Sequence, residues 1–340
     1  MTKNKALSKK IIFWLFLIVF LWLAVTRLDQ TKNVLEILST GRWYWIAPAL
    51  ICQLFFYPLY AHFISHVFRI FRLNQSWRQI LPVYIASKFT DVALPISTFG
   101  KVAVFLRHSK RQNLSALNTG IGVSFVMLIE VSAFIIVALV SLLTLLIFGQ
   151  SRAYLYVTLL ILILAVALVI LYLISLAVYK RPPSRLVLWL IKQIARPAGY
   201  KNVQPSEIEG VFREIGTDVD KKQKQIRTGL CLAISAHLIN MLTLAFVFLA
   251  FTGHLNILAL LAAYTAGLLY TVVSITPQGV GVVETIMVAT IHSFGFDIPT
   301  AAVVTLVFRS ILYWLPVFAG FYFFSKLEFE SKQAKSTQGD

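Results

Sequence analysis

Three charged residues, Glu130, Glu284 and Arg309, interrupt long apolar stretches of the sequence. An ionised side chain in the middle of a membrane helix costs about 2.5–3.5 kcal/mol on insertion scales, so such residues are by default candidates for a functional site. The alternative is architectural, because buried ion pairs can also serve the fold alone. Both interpretations require that the apolar stretches cross a membrane.

Two segments, LPISTFGKVAVF at 94–105 and ITPQGVGVVETI at 275–286, repeat one pattern. Each has a proline, a glycine four or five residues later, and then a charged side chain with β-branched residues. Paired Pro/Gly interruptions in two halves of an apolar chain predict broken helices around a central binding site. The helix ends so created expose backbone N–H groups and a positive dipole that can hold an anion such as a lipid phosphate. Ordinary kinks are the alternative.

The first broken segment also supplies two cations, Lys101 and Arg107. We expect the helix ends at Pro95 to Gly100 to meet a lipid phosphate with Lys101 or Arg107 nearby.

Glu284 and Arg309 are expected to pair with each other. The turn between the last two apolar stretches lies near Asp297 and Ile298, so Glu284 stands about 13 residues before it and Arg309 about 11 after it. At 1.5 Å per residue, antiparallel helices place the two charges ~20 Å and ~17 Å from the turn. They would share one depth near the middle of a hydrocarbon layer about 30 Å thick.

Other polar constellations carry less weight. His62 and His66 lie one helical turn apart without a third ligand, and Asp218 and Asp220 spell DxD without a surrounding nucleotide-binding domain. The two cysteines have no CxxC or Cys/His set, and no GxSxG, P-loop or GxGxxG occurs. We therefore expect no metal site and no cofactor.

These residues must be positioned by membrane helices. Of 340 residues, 58% are hydrophobic and 13% charged, which predicts an all-α, polytopic transmembrane bundle. The predicted bundle has about eight spans and re-entrant or broken helices in two pseudo-repeated halves. The candidate crossings are 11–26, 43–66, 117–148, 154–179, 228–252, 256–275, 280–296 and 299–325.

A net charge of +17 would suggest nucleic acid in a soluble protein, but here the basic residues cluster between apolar stretches. That is the positive-inside pattern, and nucleic acid is not an expected partner. Four lysines precede residue 11, and basic loops follow the second and fourth crossings. We expect a multi-pass protein of the cell (inner) membrane with both termini in the cytoplasm.

Two stretches fit neither a simple span nor a simple loop. Residues 77–106 are mostly apolar but contain Pro82, Pro95 and Gly100, which predicts a re-entrant or broken helix. Within the polar region 180–227, the apolar residues of 184–195 recur at helical spacing, which predicts a helix on the cytoplasmic surface. The expected organisation is a transmembrane domain at 1–326 and a short polar cytoplasmic tail at 327–340.

The second broken segment carries a family resemblance. The sequences TPQGVGVVE at 276–284 and FRSILYWLP at 308–316, together with Gly320, resemble the lysylphosphatidylglycerol synthetase transmembrane, or flippase-like, family. That family includes the membrane domain of the multiple peptide resistance factor. The resemblance extends to Glu130 and to Asp91, Leu94, Pro95 and Gly100, and it covers nearly the whole chain.

The chain departs from the family pattern at the first break, where one extra residue precedes Gly100 and Lys101 takes the acidic position. The aminoacyl-transferring members also carry a large soluble C-terminal domain, whereas this sequence ends about fifteen residues after its last predicted span. The resemblance therefore implies a flippase-like domain and does not imply synthesis of aminoacyl-lipids.

The resemblance implies that the chain binds or moves an anionic or lipid-linked headgroup between leaflets. Two alternatives stay open: a lipid-modifying enzyme that would rely on Asp91, Lys101 and Glu130, and an accessory subunit of an envelope lipid or glycan pathway. The expected partner is a membrane phospholipid or lipid-linked substrate, with a homo-oligomer or an envelope-enzyme partner left open. The candidate substrate-binding residues are Asp91, Pro95, Gly100, Lys101, Arg107, Glu130, Pro277, Gly279, Gly281, Glu284 and Arg309.

Overall fold

A computed structural model describes residues 28–93, 97–148, 219–274, 276–317 and 319–323. Within these ranges the secondary structure is helical and includes no strand, which confirms the predicted all-α fold. The nine α-helices of this part of the chain are α1 Leu28–Thr40, α2 Ile46–Ile70, α3 Trp77–Ala93, α4 Ser97–Arg111, α5 Ala116–Ile147, α6 Val219–Thr252, α7 Ile257–Val273, α8 Val282–Ser293 and α9 Ile298–Arg309.

Four described helices are long and apolar enough to cross a membrane: Trp43–Ile70, Leu117–Ile147, Gln223–Thr252 and Ile298–Phe323. They coincide with the segments predicted as crossings at 43–66, 117–148, 228–252 and 299–325. The crossings predicted at 11–26 and 154–179 lie outside the described residues, as does the tail at 327–340.

Helix α6 begins earlier than the sequence pattern predicts. The polar region 180–227 was expected to be a loop as far as Arg227, but α6 starts at Val219 and runs for 34 residues. Lys, Gln and Arg are good helix formers, so a polar turn or two can extend a buried helix beyond the apolar layer. Residues 180–218 lie outside the described part of the chain.

Helices α2 and α6 pack antiparallel and define the two ends of the bundle. At one end His66 Nε2 lies 3.0 Å from the Gln225 carbonyl oxygen, and at the other Arg42 N–H donates to the Ala250 carbonyl at 2.8 Å. Helix α5 begins beside the first of these ends, because the Asn118 side chain donates to the Phe71 carbonyl at 3.2 Å.

The first end carries most of the described cations and is called the basic end. Its arginines and lysines are Arg69, Arg72, Arg78, Arg107, Lys110, Arg111, Lys224 and Arg227. Of the Lys and Arg side chains that the structure describes, Arg42 lies at the opposite end, which is called the far end. The asymmetry agrees with the clustering expected from the positive-inside pattern.

Helices α3 and α4 form a hairpin that starts and finishes at the basic end. Ser65 donates to the Gln75 carbonyl just before α3, and Thr119 donates to Ser109 at 2.8 Å, which holds the end of α4 beside the start of α5. The two helices have 17 and 15 residues, so the break between Ala93 and Ser97 lies ~22–25 Å from the basic end. The helix predicted to be broken within 77–106 is therefore two helices.

Helices α7 and α8 form a second hairpin that starts and finishes at the far end. Helix α7 follows α6 directly, and Phe296, after α8, packs against Phe248 and His254 near the end of α6, at ring distances of 5.7 and 5.6 Å. With 17 and 12 residues these helices are ~25 and ~18 Å long, shorter than the ~30 Å hydrocarbon layer. The segments 256–275 and 280–296, predicted as crossings, are thus shorter apolar helices.

Two hydrophobic clusters share α6. One joins α6 to α2, α3, α4 and α5, and the other joins it to α7, α8 and α9. Each cluster therefore contains one of the two hairpins, and the hairpins enter from opposite ends, as in inverted repeats.

The two halves meet at α3, the helix that leads into the first break. The turn of the second break, Pro277–Gly279, contacts α3. The continuation of α9 also crosses α3 closely, because a Cβ on Gly320 would lie 2.5 Å from the Ile85 carbonyl oxygen. Both breaks are thereby tied to one helix.

Candidate functional site

The first part of the candidate site lies one turn into α4, where Lys101 is buried with 8% of its surface exposed. Its Nζ lies 3.4 Å from Glu130 Oε2 on α5 and 3.4 Å from the Tyr60 hydroxyl on α2. A buried ammonium needs a carboxylate and further hydrogen bonds to offset its lost hydration, and this arrangement supplies both.

Aromatic rings surround the same ammonium. The rings of Tyr60 and Tyr84 stack with centroids 4.4 Å apart, and Lys101 Nζ lies 5.4 and 5.9 Å from them. Lys88 Nζ lies 5.0 Å from the centroid of the Tyr84 ring, and it interacts electrostatically with Glu130. Cation–π contacts of this kind stabilise a desolvated cation by roughly 0.5–2 kcal/mol.

Two ammonium groups therefore act on one carboxylate, Lys101 by direct contact with Glu130 and Lys88 electrostatically. Lys88 and Lys101 contribute two positive charges around Tyr84 and Glu130 one negative charge. Counted over these three described side chains, the net charge is positive.

Lys88 was not among the residues selected from the sequence. It stands seven residues before Pro95, and Lys101 stands six after, so the two arms of the hairpin bring them to similar depth. Counting 1.5 Å per residue from the turn is what pairs Glu284 with Arg309. The same count would have placed Lys88 near Lys101 if 77–106 had been treated as a hairpin.

The second part of the site is the ion pair predicted from the sequence, and the structure confirms the pairing. Arg309 Nε donates to Glu284 Oε1 at 2.8 Å, and Nη2 donates to the Gln278 carbonyl at 3.1 Å. The guanidinium also lies 4.8 Å from the Tyr313 ring. Only 8% of Arg309 is exposed. Arg309 thus ties the start of α8 and the turn of the second break to α9.

The backbone of the second break is sharply turned. Gln278, Gly279 and Gly281 all have positive φ, at 53°, 69° and 86°. The Gly281 N–H donates to Glu284 Oε2 at 2.7 Å, so one carboxylate caps the helix and binds Arg309 together. Pro277 begins the turn.

A π-helical turn, Ser310–Trp314, follows Arg309 directly. Pro316 has no N–H to donate to the carbonyl four residues earlier, which disfavours regular α-helical bonding there. Such turns often occur at functional sites because they change the direction of the side chains around them.

The remaining predicted residues are not all brought to these clusters. Asp91 and Gly100 lie on α3 and α4, but their side-chain surroundings are outside the described part, and Pro95 lies between the described helices. Arg107 is exposed toward the basic end, ~9 Å along α4 from Lys101. The structure therefore places Lys101, and not Arg107, at the cluster.

His237 and Tyr264 are two buried polar residues that the sequence reasoning did not select. His237 Nδ1 lies 2.9 Å from the Tyr264 hydroxyl, and the ring also hydrogen-bonds to the backbone of Glu130. His237 is a titratable side chain inside an apolar stretch, so the rule that selected Glu130 applied to it as well.

The histidines considered for a metal have other surroundings. His66 contacts the Gln225 carbonyl, and His62 is exposed. In the described part of the chain, no group of three or more His, Cys, Asp or Glu side chains could hold a metal ion.

Comparison with known proteins agrees with this architecture. A family model described as the lysylphosphatidylglycerol synthase TM region matches residues 10–320. A UPF0104 membrane protein of Methanocaldococcus jannaschii is 28% identical over 130 residues, which are 38% of this chain and 39% of that protein. The chain thus matches about two fifths of the length of this curated relative.

Proposed function

The chain belongs to the lysylphosphatidylglycerol synthase transmembrane family, and from that premise we propose that it binds an anionic phospholipid or lipid-linked headgroup at its two helix breaks and moves it between leaflets. It is an integral membrane protein with several apolar helices. Lys88, Lys101 and Arg309 would bind the headgroup, and the lipid tails would lie against the apolar surfaces of the bundle.

The excess positive charge beside the first break is the observation that carries the proposal. Lys101 is buried and contacts Glu130, and the partly exposed Lys88 adds a second positive charge near the same carboxylate. A buried charge without a partner is costly. A lipid phosphate would supply the missing negative charge and accept hydrogen bonds from both ammonium groups. The rings of Tyr60 and Tyr84 would flank that contact.

The second break offers a cation of a different kind. Arg309 is held by Glu284 and Gln278 and lies beside the N-terminal turn of α8, whose first N–H groups lack intrahelical acceptors. An approaching phosphate could compete with Glu284 for the guanidinium, because Arg binds carboxylate and phosphate with the same planar donor pattern. Pro277, Gly279 and Gly281 would give the headgroup access to the backbone at this turn.

The arrangement of the hairpins suggests how a headgroup could pass from one leaflet to the other. Hairpin α3–α4 enters from the basic end, hairpin α7–α8 enters from the far end, and the second break contacts α3. A break that packs against the opposed hairpin would give a site that either end can reach by a small movement. The first break, with Asp91, Pro95 and Gly100, belongs to the same proposed path.

The charge asymmetry sets the proposed orientation. We place the basic end in the cytoplasm and the far end outside, in the cell (inner) membrane, because Lys and Arg are retained on the cytoplasmic side during insertion.

Lipid exchange in proteoliposomes tests the proposal. The purified full chain would be reconstituted with phosphatidylglycerol carrying a fluorescent tail, and the outer-leaflet label quenched with dithionite. We expect faster quenching of the inner label than in protein-free vesicles. Lys88→Gln and Lys101→Gln should each lower the initial rate by about tenfold, equivalent to roughly 1.4 kcal/mol of lost anion binding.

The matched control is Lys110→Gln, which removes an exposed lysine from α4, the helix that carries Lys101. It should retain the wild-type rate. A wild-type protein that exchanges neither phosphatidylglycerol nor labelled polyprenyl phosphate, or a Lys110→Gln loss equal to that of Lys101→Gln, would contradict the proposal.

A further inference from the structure

One carboxylate, Glu130, is approached by titratable side chains from five helices. The facing groups are Tyr60 on α2, Lys88 on α3, Lys101 on α4, His237 on α6 and Tyr264 on α7. A carboxylate in a structural ion pair needs only one partner. The five titratable side chains around Glu130 therefore require a further explanation. Protonatable clusters of this kind inside membrane bundles mark ion or proton pathways.

His237 lies near Glu130, because its ring is 6.3 Å from that of Phe134, which is one turn after Glu130 on α5. Its Nδ1 lies 2.9 Å from the Tyr264 hydroxyl, and the ring hydrogen-bonds to the Glu130 backbone. The Tyr264 hydroxyl also bonds to the Asn240 side chain, whose Oδ1 accepts from Gln53 at 3.1 Å. Histidine is the side chain that most readily exchanges a proton near neutral pH.

The two ion pairs found among the described residues differ in length. Lys101 and Glu130 are 3.4 Å apart, whereas Arg309 and Glu284 are 2.8 Å apart. Strong charge-assisted N–H to O bonds measure about 2.7–2.9 Å, so the Lys101 pair is a loose one. The Glu130 side chain is 36% exposed and that of Lys101 10%, so solvent reaches the carboxylate but hardly reaches the ammonium.

We propose that Glu130 is a proton-binding site, served by His237, and that lipid phosphate binding at Lys101 is coupled to the uptake of one proton by Glu130. This inference rests on the proposed lipid function and names the proton as the ion that is coupled to lipid movement. A proton from the aqueous phase bonds to a Glu130 carboxylate oxygen, directly or through the His237 ring, and the electrostatic pairing with Lys101 ends. The phosphate then takes the place of the carboxylate.

Charge is conserved in this exchange, because one anion replaces another beside Lys88 and Lys101. When the headgroup leaves, Glu130 returns its proton to water and pairs with Lys101 again. Linkage requires that the lipid bind more tightly as pH falls, by up to about tenfold per pH unit for one coupled proton. A transmembrane pH gradient would then bias the direction of lipid movement.

Proton uptake on lipid binding tests the coupling without any variant. Dihexanoyl phosphatidylglycerol would be added to the purified full chain in weakly buffered detergent with a pH indicator. We expect alkalinisation of up to one proton per lipid bound, and no change with dihexanoylglycerol, which has no phosphate. Binding of the phospholipid without proton uptake at any pH from 5 to 8 would overturn the inference.

The transport arm uses proteoliposomes containing tail-labelled phosphatidylglycerol under a pH gradient of one unit in either direction. Reversing the gradient should change the wild-type exchange rate severalfold, and Glu130→Gln and His237→Gln should abolish this response. His62→Gln is the matched control, because His62 is an exposed histidine on α2, and it should respond like wild type.

The outcomes separate the two proposals. Wild-type exchange that ignores the gradient would overturn the coupling and leave lipid transport standing. Absence of wild-type exchange in both gradients, with no lipid binding in detergent, would overturn both. A gradient response retained in Glu130→Gln would also overturn the coupling.

Discussion

At the residue scale, Lys101 and Arg309, the buried lysine and arginine of the described residues, differ in what their side chains can do. Arg309 donates in two directions, to Glu284 and to the Gln278 carbonyl, so one side chain fixes a helix start and a turn together. Lys101 is a compact ammonium with a 3.4 Å contact to Glu130, and it lies against tyrosine rings. A guanidinium with several fixed donors suits a lasting contact, and an ammonium suits a contact that exchanges.

A double-mutant cycle on Glu284 and Arg309 tests the first of these roles. Glu284→Gln or Arg309→Gln alone should lower the free energy of unfolding by about 3–5 kcal/mol, because each leaves the other charge buried without its partner. The double variant should lose less than the sum of the two, measured by thermal unfolding in detergent.

Arg69→Gln is the control for this cycle, since Arg69 is an exposed arginine at the end of α2. It should leave the unfolding temperature nearly unchanged. Strictly additive losses from Glu284→Gln and Arg309→Gln would show that the two side chains do not stabilise the fold as a pair.

At the scale of the element, the second break is created by backbone that cannot continue a helix. In the second break Gly279 has φ of +69°, and a Cβ there would overlap Val283 and lie 3.2 Å from the Thr271 Cα. The start of α8 and the end of α7 thus close around a residue without a side chain. The next element starts with a strong cap, because the Asp297 side chain accepts from the Thr300 N–H at 3.0 Å at the beginning of α9.

Gly279→Ala should destabilise the protein by about 2 kcal/mol or more, because it adds both a steric overlap and a left-handed conformation that an L-residue adopts poorly. Gly120→Ala is its control, because a Cβ at Gly120 on α5 would meet no atom within 4 Å. That control should be neutral or should stabilise by up to about 1 kcal/mol through helix propensity. Thermal unfolding that ranks the two variants equally would contradict this account of the break.

The Asp297 cap should make α9 sensitive to acid. Partial burial raises the pKa of the Asp297 carboxyl, but hydrogen bonds from Thr300 and from its own backbone, together with nearby His292, outweigh that effect, and the pKa lies below its ordinary value. A lowered pKa means stability that is present above the unfolded pKa of about 3.9 and lost as pH falls through the folded value.

Asp297→Ala should cost about 1 kcal/mol at neutral pH, whereas Asp297→Ser should retain most of the stability and lose this acid dependence. Unfolding temperatures of the two variants measured from pH 7 down to pH 3 distinguish them. An Asp297→Ser protein with the wild-type acid dependence would assign that dependence to another group.

At the scale of the whole molecule, the two hairpins enter from opposite ends and meet at α3. Contacts among α2, α5 and α6 define the basic end and the far end of the bundle. Most of the described cations lie at the basic end. This arrangement fits a site that is reached alternately from the two sides of a membrane.

Cysteine accessibility tests the orientation. In a background without Cys52 and Cys231, single cysteines at Lys110, Lys192 and Lys332 should be labelled from the cytoplasmic side, and cysteines near Gly149 and Gly253 from outside. Labelling of position 192 from outside would contradict the proposed topology.

The sequence by itself determined the features that depend on distance along one chain. Four long apolar helices, an interruption within 77–106, another within 275–286, and the pairing of Glu284 with Arg309 all follow from apolar length, Pro/Gly positions and 1.5 Å of rise per residue. The antiparallel partner of a residue across one turn can be counted, and that is why this pair could be predicted.

Tertiary structure alone decided what comes together from different helices. Composition could not show that 256–275 and 280–296 are short helices of one hairpin, because apolar character does not distinguish a full crossing from a half-length helix packed inside protein. Nor could it bring Lys88, His237 and Tyr264 to Glu130, because these residues lie on four helices whose rotations are set by packing between their faces.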